Sequence, residues 1–408
     1  MSAKRRYIAV TPFFPSPENW RGAYCCDFVK ALSSALGSGW SVDVFVPGEG
    51  GEYDVAGLHV RRFPVKALPS NILPFFFEKP NRASFLRAVA EAGIDIADVA
   101  VCHAHTANFA PFALAAKDAN PECRTFLHHH DLMSFGLNNG RLRHWGAYNR
   151  FAARGLKRLH EAIDCHVFIS RLCEKSFRSF PSVDWLGIPD YSAQARGARS
   201  MRPVAVKSSI VLHNGVDVSL FNPGLGCAKP DGETLVVGCV GNVSREKGQR
   251  DLVEAARIAE DALRRERAAA KIELRFVGSG PDLAHCRALA RKLGVNAEFL
   301  PEVRHELLPD FYRTLDLFAL PTHYDGFGCV YTEAYACGVP FIATDKAGVA
   351  ELIPQCDRDV WLAKPGDAAD LAGKIARFAR ERPRQTLTGE IAIDALVRRF
   401  VREAEFDR

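Results

Sequence analysis

LDLFALPTHYDGFGCVYTEAYACG, residues 315–338, is the stretch that decides the fold: an apolar strand-like run, a turn with two glycines, and a helix closed by Gly338 and Pro340. Glycine lets a backbone adopt conformations, and approach a ligand, in ways that a Cβ blocks. The N-terminus of the helix that follows offers unpaired N–H groups and about half an elementary positive charge, which suits an anionic group. Asp325 stands just before that helix and Glu333 inside it, both able to accept hydrogen bonds from hydroxyls. Taken alone, the pattern is equally a glycine turn with incidental acids.

The pattern recurs. GNVSREKGQRDLVEAARIA (241–259) again runs from an apolar strand through glycines into a helix, with Arg245 and Lys247 at its entrance, and VGSGPDL (277–283) is a third glycine loop, containing Gly278. Cations facing one ligand would neutralise a leaving diphosphate; the competing reading of Arg245, Glu246 and Lys247 is a solvated charge run. Further out, β-branched runs alternate with helical stretches along the whole chain. The first series is YIAVTPFF (7–14), SVDVFVPG (41–48), LHVRRFPV (58–65), DVAVCHAH (98–105), CRTFLHHH (123–130) and CHVFIS (165–170). The second is SIVLHNGV (209–216), LVVGCVGNV (235–243), IELRFVGSG (272–280), AEFLPEV (297–303), LDLFALPT (315–322) and PFIATD (340–345).

Strands alternating with helices predict parallel sheets covered on both faces, and two series predict two doubly wound α/β domains. Residues 181–208, rich in Pro, Ser, Gly and Arg, read as the connection between them. The expected division is 1–205, 206–390, and a C-terminal helix within 391–408 packing back toward the N-terminal domain. In such sheets ligands bind beyond the carboxyl ends of the strands, so two facing domains place an active site in the cleft between them.

Composition excludes other classes. A chain of 408 residues with 48% hydrophobic and 25% charged residues supports a folded core and neither disorder nor fibre. No segment reaches the roughly 20 apolar residues of a membrane span, and MSAKRRYIAVTPFF lacks a long apolar run with a cleavage site, which predicts a cytoplasmic protein. The net charge of +5 is spread among acids, which argues against a nucleic-acid partner. The 12 cysteines are scattered through apolar runs and read as reduced core residues.

GNVSREKG, VGSGPD and LPTHYDGFGCVYTEAYACGVPFIATDKAGVAEL, in this order and spacing, resemble the retaining GT-B glycosyltransferases of family 4, also called glycosyl transferases group 1. TPFFPSPENWRGAYCCDFVKAL resembles that family's acceptor-side glycine loop and first helix, and LHNGVDVSLFNP its NGVD segment. The resemblance implies the GT-B fold of two facing Rossmann-like domains. It also implies a nucleotide-sugar donor, no metal, no cofactor, and retention of anomeric configuration.

The resemblance further implies that Glu333 holds the donor ribose, that Asp325 touches the transferred sugar, and that Gly326, Phe327 and Gly328 give backbone contacts to sugar and phosphate. Lys247 matches the diphosphate-binding lysine, Gly22 the loop glycine near the phosphates, and His130 a histidine near the reacting anomeric carbon. Gly278 belongs to the donor loops, and base recognition relies on backbone groups near Glu302 and Val303. Two positions depart from the pattern: Asp325 stands where glutamate is usual, and Asn242 where many members have arginine, a cation that Arg245 is positioned to replace.

The histidines have a rival reading, since His103 and His105 form HxH and His128 to His130 with Asp131 form HHHD. Strand alternation sends His128 and His130 to one face and His129 to the other, so hydrogen-bonded cleft histidines are the expectation and a metal site the alternative. LPSNILPFFFEKPNR (68–82) is either an acceptor-side or membrane-contact loop, with Phe75, Phe76 and Phe77 beside Lys79 and Arg82, or a buried connection. The acceptor implied is a glycan or a lipid-linked glycan in polysaccharide or glycoconjugate synthesis, handled at or near the cytoplasmic face of the membrane. A non-catalytic nucleotide-sugar-binding partner subunit and a GT-B epimerase or phosphorylase are the alternatives.

Overall fold

The computed structural model describes residues 4–17, 19, 22–67, 76–133, 135–137, 145–224, 234–266 and 271–406. It divides into two compact units, Met1–His213 with Ile393–Arg408, and Asn214–Ala392. The first holds an eight-stranded sheet: β1 (Arg5–Val10), β2 (Trp40–Pro47), β3 (Glu52–Val55), β4 (Leu58–Phe63), β5 (Val99–His105), β6 (Arg124–His129), β7 (Cys165–Phe168) and β8 (Ser209–Val211). Their spatial order is β3-β4-β2-β1-β5-β6-β7-β8. All pairings are parallel except the β3–β4 hairpin. Tyr7, Ile8, Ala9 and Val10 of β1 are all fully buried, as a central parallel strand covered on both faces requires.

The covering helices are α1 (Ala23–Leu36), α2 (Glu78–Glu91), α3 (Ala110–Ala119), α4 (Gly146–Ala162), α5 (Arg171–Ser179) and α6 (Pro189–Arg196). On one face, Phe63, Phe85 and Phe112 pack together, with Phe63 and Phe112 edge-to-face at 5.0 Å. On the other, α1 meets the C-terminal helix Ile393–Glu403. That helix buries Ile393, Leu396, Val397, Phe400 and Val401, an i, i+3, i+4, i+7, i+8 stripe. Its Arg399 donates to the Val211 carbonyl at 3.1 Å, and Arg5 donates to the Phe406 carbonyl at 2.8 Å.

The second unit carries β9 (Thr234–Val240), β10 (Lys271–Val277), β11 (Asn296–Leu300), β12 (Leu317–Ala319), β13 (Phe341–Thr344) and β14 (Leu362–Ala363). They lie in the order β11-β10-β9-β12-β13-β14, parallel throughout. Around them run α7 (Gln249–Arg265), α8 (Leu283–Leu293), α9 (Leu308–Arg313), α10 (Cys329–Ala336), α11 (Arg358–Trp361) and α12 (Ala368–Glu381). α7 turns Leu252, Val253, Ala256, Ala259 and Leu263 inward and pairs Arg257 with Asp261 on its outer face.

Three sequence expectations are corrected. The run beginning at Ser209 closes the first sheet against β7 instead of opening the second, because its three paired residues find their partners in His166, Val167 and Phe168. Residues 181–208 are no open linker: they hold α6 and bury Val183, Leu186, Ile188, Tyr191 and Ala195 in the first unit. The hairpin strand β3 was not anticipated, since EYDV carries charge on an exposed edge. None of the eleven described cysteines is in a disulfide; nine of them are buried, Cys356 is exposed, and Cys227 lies outside the described residues.

Candidate functional site

Strand order in the second sheet reverses at β9, which has β10 on one side and β12 on the other. Open parallel sheets bind ligands at such a switch point. The three glycine loops all leave these strands, and backbone bonds lace them together. Gly241 N–H donates to Val277 O at 3.0 Å and Val243 N–H to Ser279 O at 2.8 Å. His323 N–H donates to Glu246 O at 2.7 Å, and the Thr322 hydroxyl donates to the same carbonyl at 3.0 Å. A Cβ on Gly248 would fall 2.1 Å from the Pro321 carbonyl oxygen, so the β9 and β12 loops touch only because that residue is glycine.

On this frame Lys247, in a 3-10 turn spanning Arg245–Lys247, donates to Asp325 Oδ2 at 2.5 Å. Both side chains are partly buried. Arg245, the first residue of the same turn, is exposed, and Asn242 is exposed with its carbonyl accepting from Gln249 Nε2 at 3.0 Å. Asp325 is fixed by its backbone, N–H to Lys346 O at 3.0 Å and carbonyl to Gly348 N–H at 3.2 Å. Gly326 and Phe327 are buried behind it, and Gly328, with φ +89°, leaves no room for a Cβ, which would meet the Tyr331 ring at 2.4 Å. Asn214, from the NGVD segment, donates to Cys329 Sγ at 3.4 Å, at the head of α10.

Glu333 is buried in α10 and does not stand alone. It accepts from the Tyr312 hydroxyl at 2.8 Å and lies 3.2 Å from His305 Nε2. Burial, then the Glu333 charge, hold the Tyr312 phenol well above its ordinary range, so it remains a donor. Sequence reasoning missed both partners. His305 lies in a 3-10 turn (His305–Leu307) that leads into α9, which carries Tyr312, so no single helix period links the two in the sequence. Glu302 is exposed and accepts from the Ser279 hydroxyl, with Val303 partly buried beside it. Gly278 meets no side chain; its Cβ would strike the Gly241 carbonyl, which makes it a joint between loops.

His323 pairs its Nε2 with Asp251 Oδ2 at 2.9 Å, tying the β12 loop to α7. That hydrogen bond raises the His323 pKa above 6.5. A group whose pKa is raised by folding contributes stability that is complete below its unfolded value and lost as pH rises through the folded one. Thermal stability of the second unit should therefore fall as pH rises from about 6.5, and His323→Gln should flatten that slope. An identical pH profile in the variant would remove His323 as its source.

In the first unit, the loops after β1, β5 and β6 meet at another switch point, with β2 and β5 flanking β1. Gly22 has φ +92°, and a Cβ there would lie 2.6 Å from the Phe13 carbonyl carbon, so the β1 loop folds back onto itself before α1. Beside it lies a cavity of about 450 Å³ whose walls include Phe13, Lys66, Glu78, Asn81, Thr106 and Asp131. Such a volume suits one or two sugar-sized groups. Thr106 has φ +77°, a conformation that non-glycine residues hold only where the surroundings enforce it. Phe77 also lines this cavity and Phe76 is 62% exposed, while residues 68–75 of the predicted loop lie outside the described residues. Arg82 turns to Glu78 and Asp118 within the unit. Among the described residues no helix is long and apolar enough to cross a membrane.

His130, at the end of β6, is partly buried against Tyr24 and His105, with His105 Nδ1 and His130 Nε2 2.9 Å apart. Burial lowers its pKa to about 3, so the ring is neutral near pH 7. The expectation of hydrogen-bonded cleft histidines is corrected for its neighbours. His103, His105 and His128 lie in the unit's interior beneath α1, with several ring nitrogens unpartnered among the described residues. The reason is that both faces of this parallel sheet are covered, so strand alternation leads to two interiors and neither to solvent.

The class defined by this architecture is GT-B, two Rossmann-like domains in one chain. The sequence matches the Glycosyl transferases group 1 family over residues 228–394 and the Glycosyl transferase 4-like domain over residues 22–183. The chain belongs to the glycosyl transferases group 1 family. It is 30% identical over 223 residues to the lipopolysaccharide core biosynthesis mannosyltransferase LpsB of Rhizobium meliloti, covering 52% of this chain and 62% of that protein. It is 32% identical over 225 residues to the D-inositol 3-phosphate glycosyltransferase of Geodermatophilus obscurus, covering 49% of this chain and 48% of that one. The chain thus spans about half the length of the curated relatives it matches.

Among solved structures, it superposes on Anabaena HepE in complex with UDP and glucose with a TM-score of 0.64 at 16% identity, covering 98% of this chain and 99% of that one. On sucrose-phosphate synthase from Thermosynechococcus elongatus the TM-score is 0.62 at 19% identity, covering 98% and 94%.

Proposed function

We propose that this chain is a retaining glycosyltransferase that moves a sugar from a UDP- or GDP-linked donor to a glycan or lipid-linked acceptor in cell-surface polysaccharide or glycoconjugate synthesis. The observation that carries the reading is the Lys247–Asp325 pair at the switch point of the second sheet, with Glu333 held by Tyr312 on the adjoining helix. In this reading Lys247 and Arg245 supply the countercharge to the diphosphate, without a metal. Asp325 reads the transferred sugar and Glu333 the ribose. Backbone groups of Gly326, Phe327 and Gly328 face sugar and phosphate, and the stretch near Glu302 and Val303 reads the base. The first-unit cavity, near Gly22 and His130, is the acceptor's place. The mannosyltransferase and UDP-bound relatives agree in class with this reading.

Thermal-shift screening against UDP-, GDP- and ADP-sugars tests the donor, followed by slow donor hydrolysis without acceptor. Stabilisation by one base series with turnover is the expected result. Binding without turnover of any donor would replace the enzyme with the partner-subunit reading, and interconversion of free nucleotide sugars would replace it with an epimerase.

A further inference from the structure

We propose that the outer face of α4, with the head of α2 beside it, is a docking surface for an anionic lipid bilayer. α4 turns Tyr148, Ala152, Leu156 and Leu159 into the first unit. Its opposite face carries Arg150, Arg154 and Arg158, all exposed and four residues apart, in one row about 12 Å long. Phe151, 58% exposed, stands beside this row, and Trp145, 59% exposed, stands at the start of the helix. From Trp145 to His160 the chain has four cations, Arg150, Arg154, Lys157 and Arg158, and no acid.

Two properties separate this face from an ordinary solvated one. The first is unpaired charge. Cations on the outer faces of other helices sit beside acids: Arg257 with Asp261 on α7, Arg377 with Glu381 on α12, and Arg399 with Glu403 on the C-terminal helix. On α4 only the flanking Lys157 pairs within the helix, with Glu161, while Arg150 and Arg154 have no acidic partner among the described residues. The second is the aromatic content. One exposed ring needs no explanation, but an indole and a phenyl interleaved with guanidinium groups match the head-group layer of a membrane, where rings settle among the lipids and cations meet phosphates.

The surface continues onto α2. Arg158 Nη2 donates to Glu78 Oε2 at 2.5 Å, and Glu78 is the first residue of α2. Beside it stand the exposed Phe76 and the exposed Lys79, which has no acidic partner among the described residues. Glu78 is also a wall of the cavity given above to the acceptor, so a bilayer seated here adjoins the place where a lipid-linked acceptor would be held. Near an anionic surface each cation adds about fivefold to partitioning, so Lys79, Arg150 and Arg154 together supply about a hundredfold, reduced by salt. A nucleic-acid backbone is tracked by a groove, whereas a row of cations on one helix beside exposed rings fits a flat layer of head groups. The proposal goes beyond sugar transfer, and its test needs neither donor nor acceptor.

That test is co-sedimentation of the full chain with extruded vesicles. Vesicles of half phosphatidylglycerol and half phosphatidylethanolamine should bind it at least tenfold more tightly than vesicles of phosphatidylcholine, and high salt should release it. Arg150→Ser combined with Arg154→Ser should weaken binding at least tenfold, and Arg150→Lys combined with Arg154→Lys should keep it, each with the far-ultraviolet circular dichroism of the wild type. Tryptophan emission should shift to the blue on the anionic vesicles, and Trp145→Phe should remove most of that shift while still binding. Equal binding to both vesicle types, binding to neither, undiminished binding after the double change to Ser, or a full blue shift in Trp145→Phe would each overturn the surface. Capture of single-stranded DNA without binding to anionic vesicles would replace the bilayer by a nucleic acid. Since no sugar is transferred, failure of this surface and failure of the proposed function are separate results.

Discussion

Replacing Lys247 by alanine is expected to lower kcat/KM for sugar transfer by roughly 10²–10³-fold, the loss typical of one preorganised donor aimed at developing charge. Lys247 is fixed in advance. Its turn is anchored by Gly248, its ammonium is held at 2.5 Å by Asp325, and the preceding carbonyl takes two hydrogen bonds from the β12 loop. Positioning of this kind costs no reorganisation when the diphosphate departs. The stability change should be small, because the ion pair is partly solvent-exposed and such pairs contribute about 0–1 kcal/mol. Lys247→Arg keeps the charge but replaces a point cation by a planar fork, and should recover part of the rate. Arg245→Ala, at an exposed position, should cost about tenfold, a measure of how far it stands in for the cation that Asn242 lacks. Steady-state kinetics with the donor found by thermal shift checks all three. A fall of less than threefold in Lys247→Ala, with the fold intact, would remove it from the chemistry.

These positions were legible because they sit in local patterns. A glycine turn between an apolar run and a helix fixes where Asp325 and Glu333 lie on their own element, and α7 repeats its apolar face from Leu252 to Leu263. What the sequence hid was long-range pairing. β8 spans only Ser209–Val211, and its apolar residues fit either neighbouring sheet until β7 is known to end with a free edge. The C-terminal helix shows its stripe plainly, yet nothing local says that Phe400 packs on Phe28, 5.8 Å between ring centroids. That Glu333 is buried was not legible, because its partners Tyr312 and His305 come from α9 and the 3-10 turn before it. The histidines failed for a different reason: alternation predicts which face a side chain takes, but not that both faces are covered.

Gly278→Ala is expected to destabilise the second unit by about 3 kcal/mol or more, although the change adds one methyl group. The methyl would come 2.1 Å from the Gly241 carbonyl oxygen, a backbone atom held in place because Gly241 N–H bonds Val277 O at 3.0 Å. Neither loop can retreat, since Val243 N–H to Ser279 O and Asp282 N–H to Val243 O continue the lacing. The φ of +140° adds strain that no repacking relieves. Gly373 in α12 is the control: it is exposed, a methyl there would meet nothing within 4 Å, and it lacks a positive φ. Gly373→Ala should therefore stabilise by about 0.5–1 kcal/mol. Urea unfolding followed through the second unit separates the two glycines. If Gly278→Ala loses no more than about 1 kcal/mol, the loops are not locked. The same lock orients Lys247 from one strand end and Asp325 from another, so nucleotide affinity should fall with stability in Gly278→Ala and stay unchanged in Gly373→Ala.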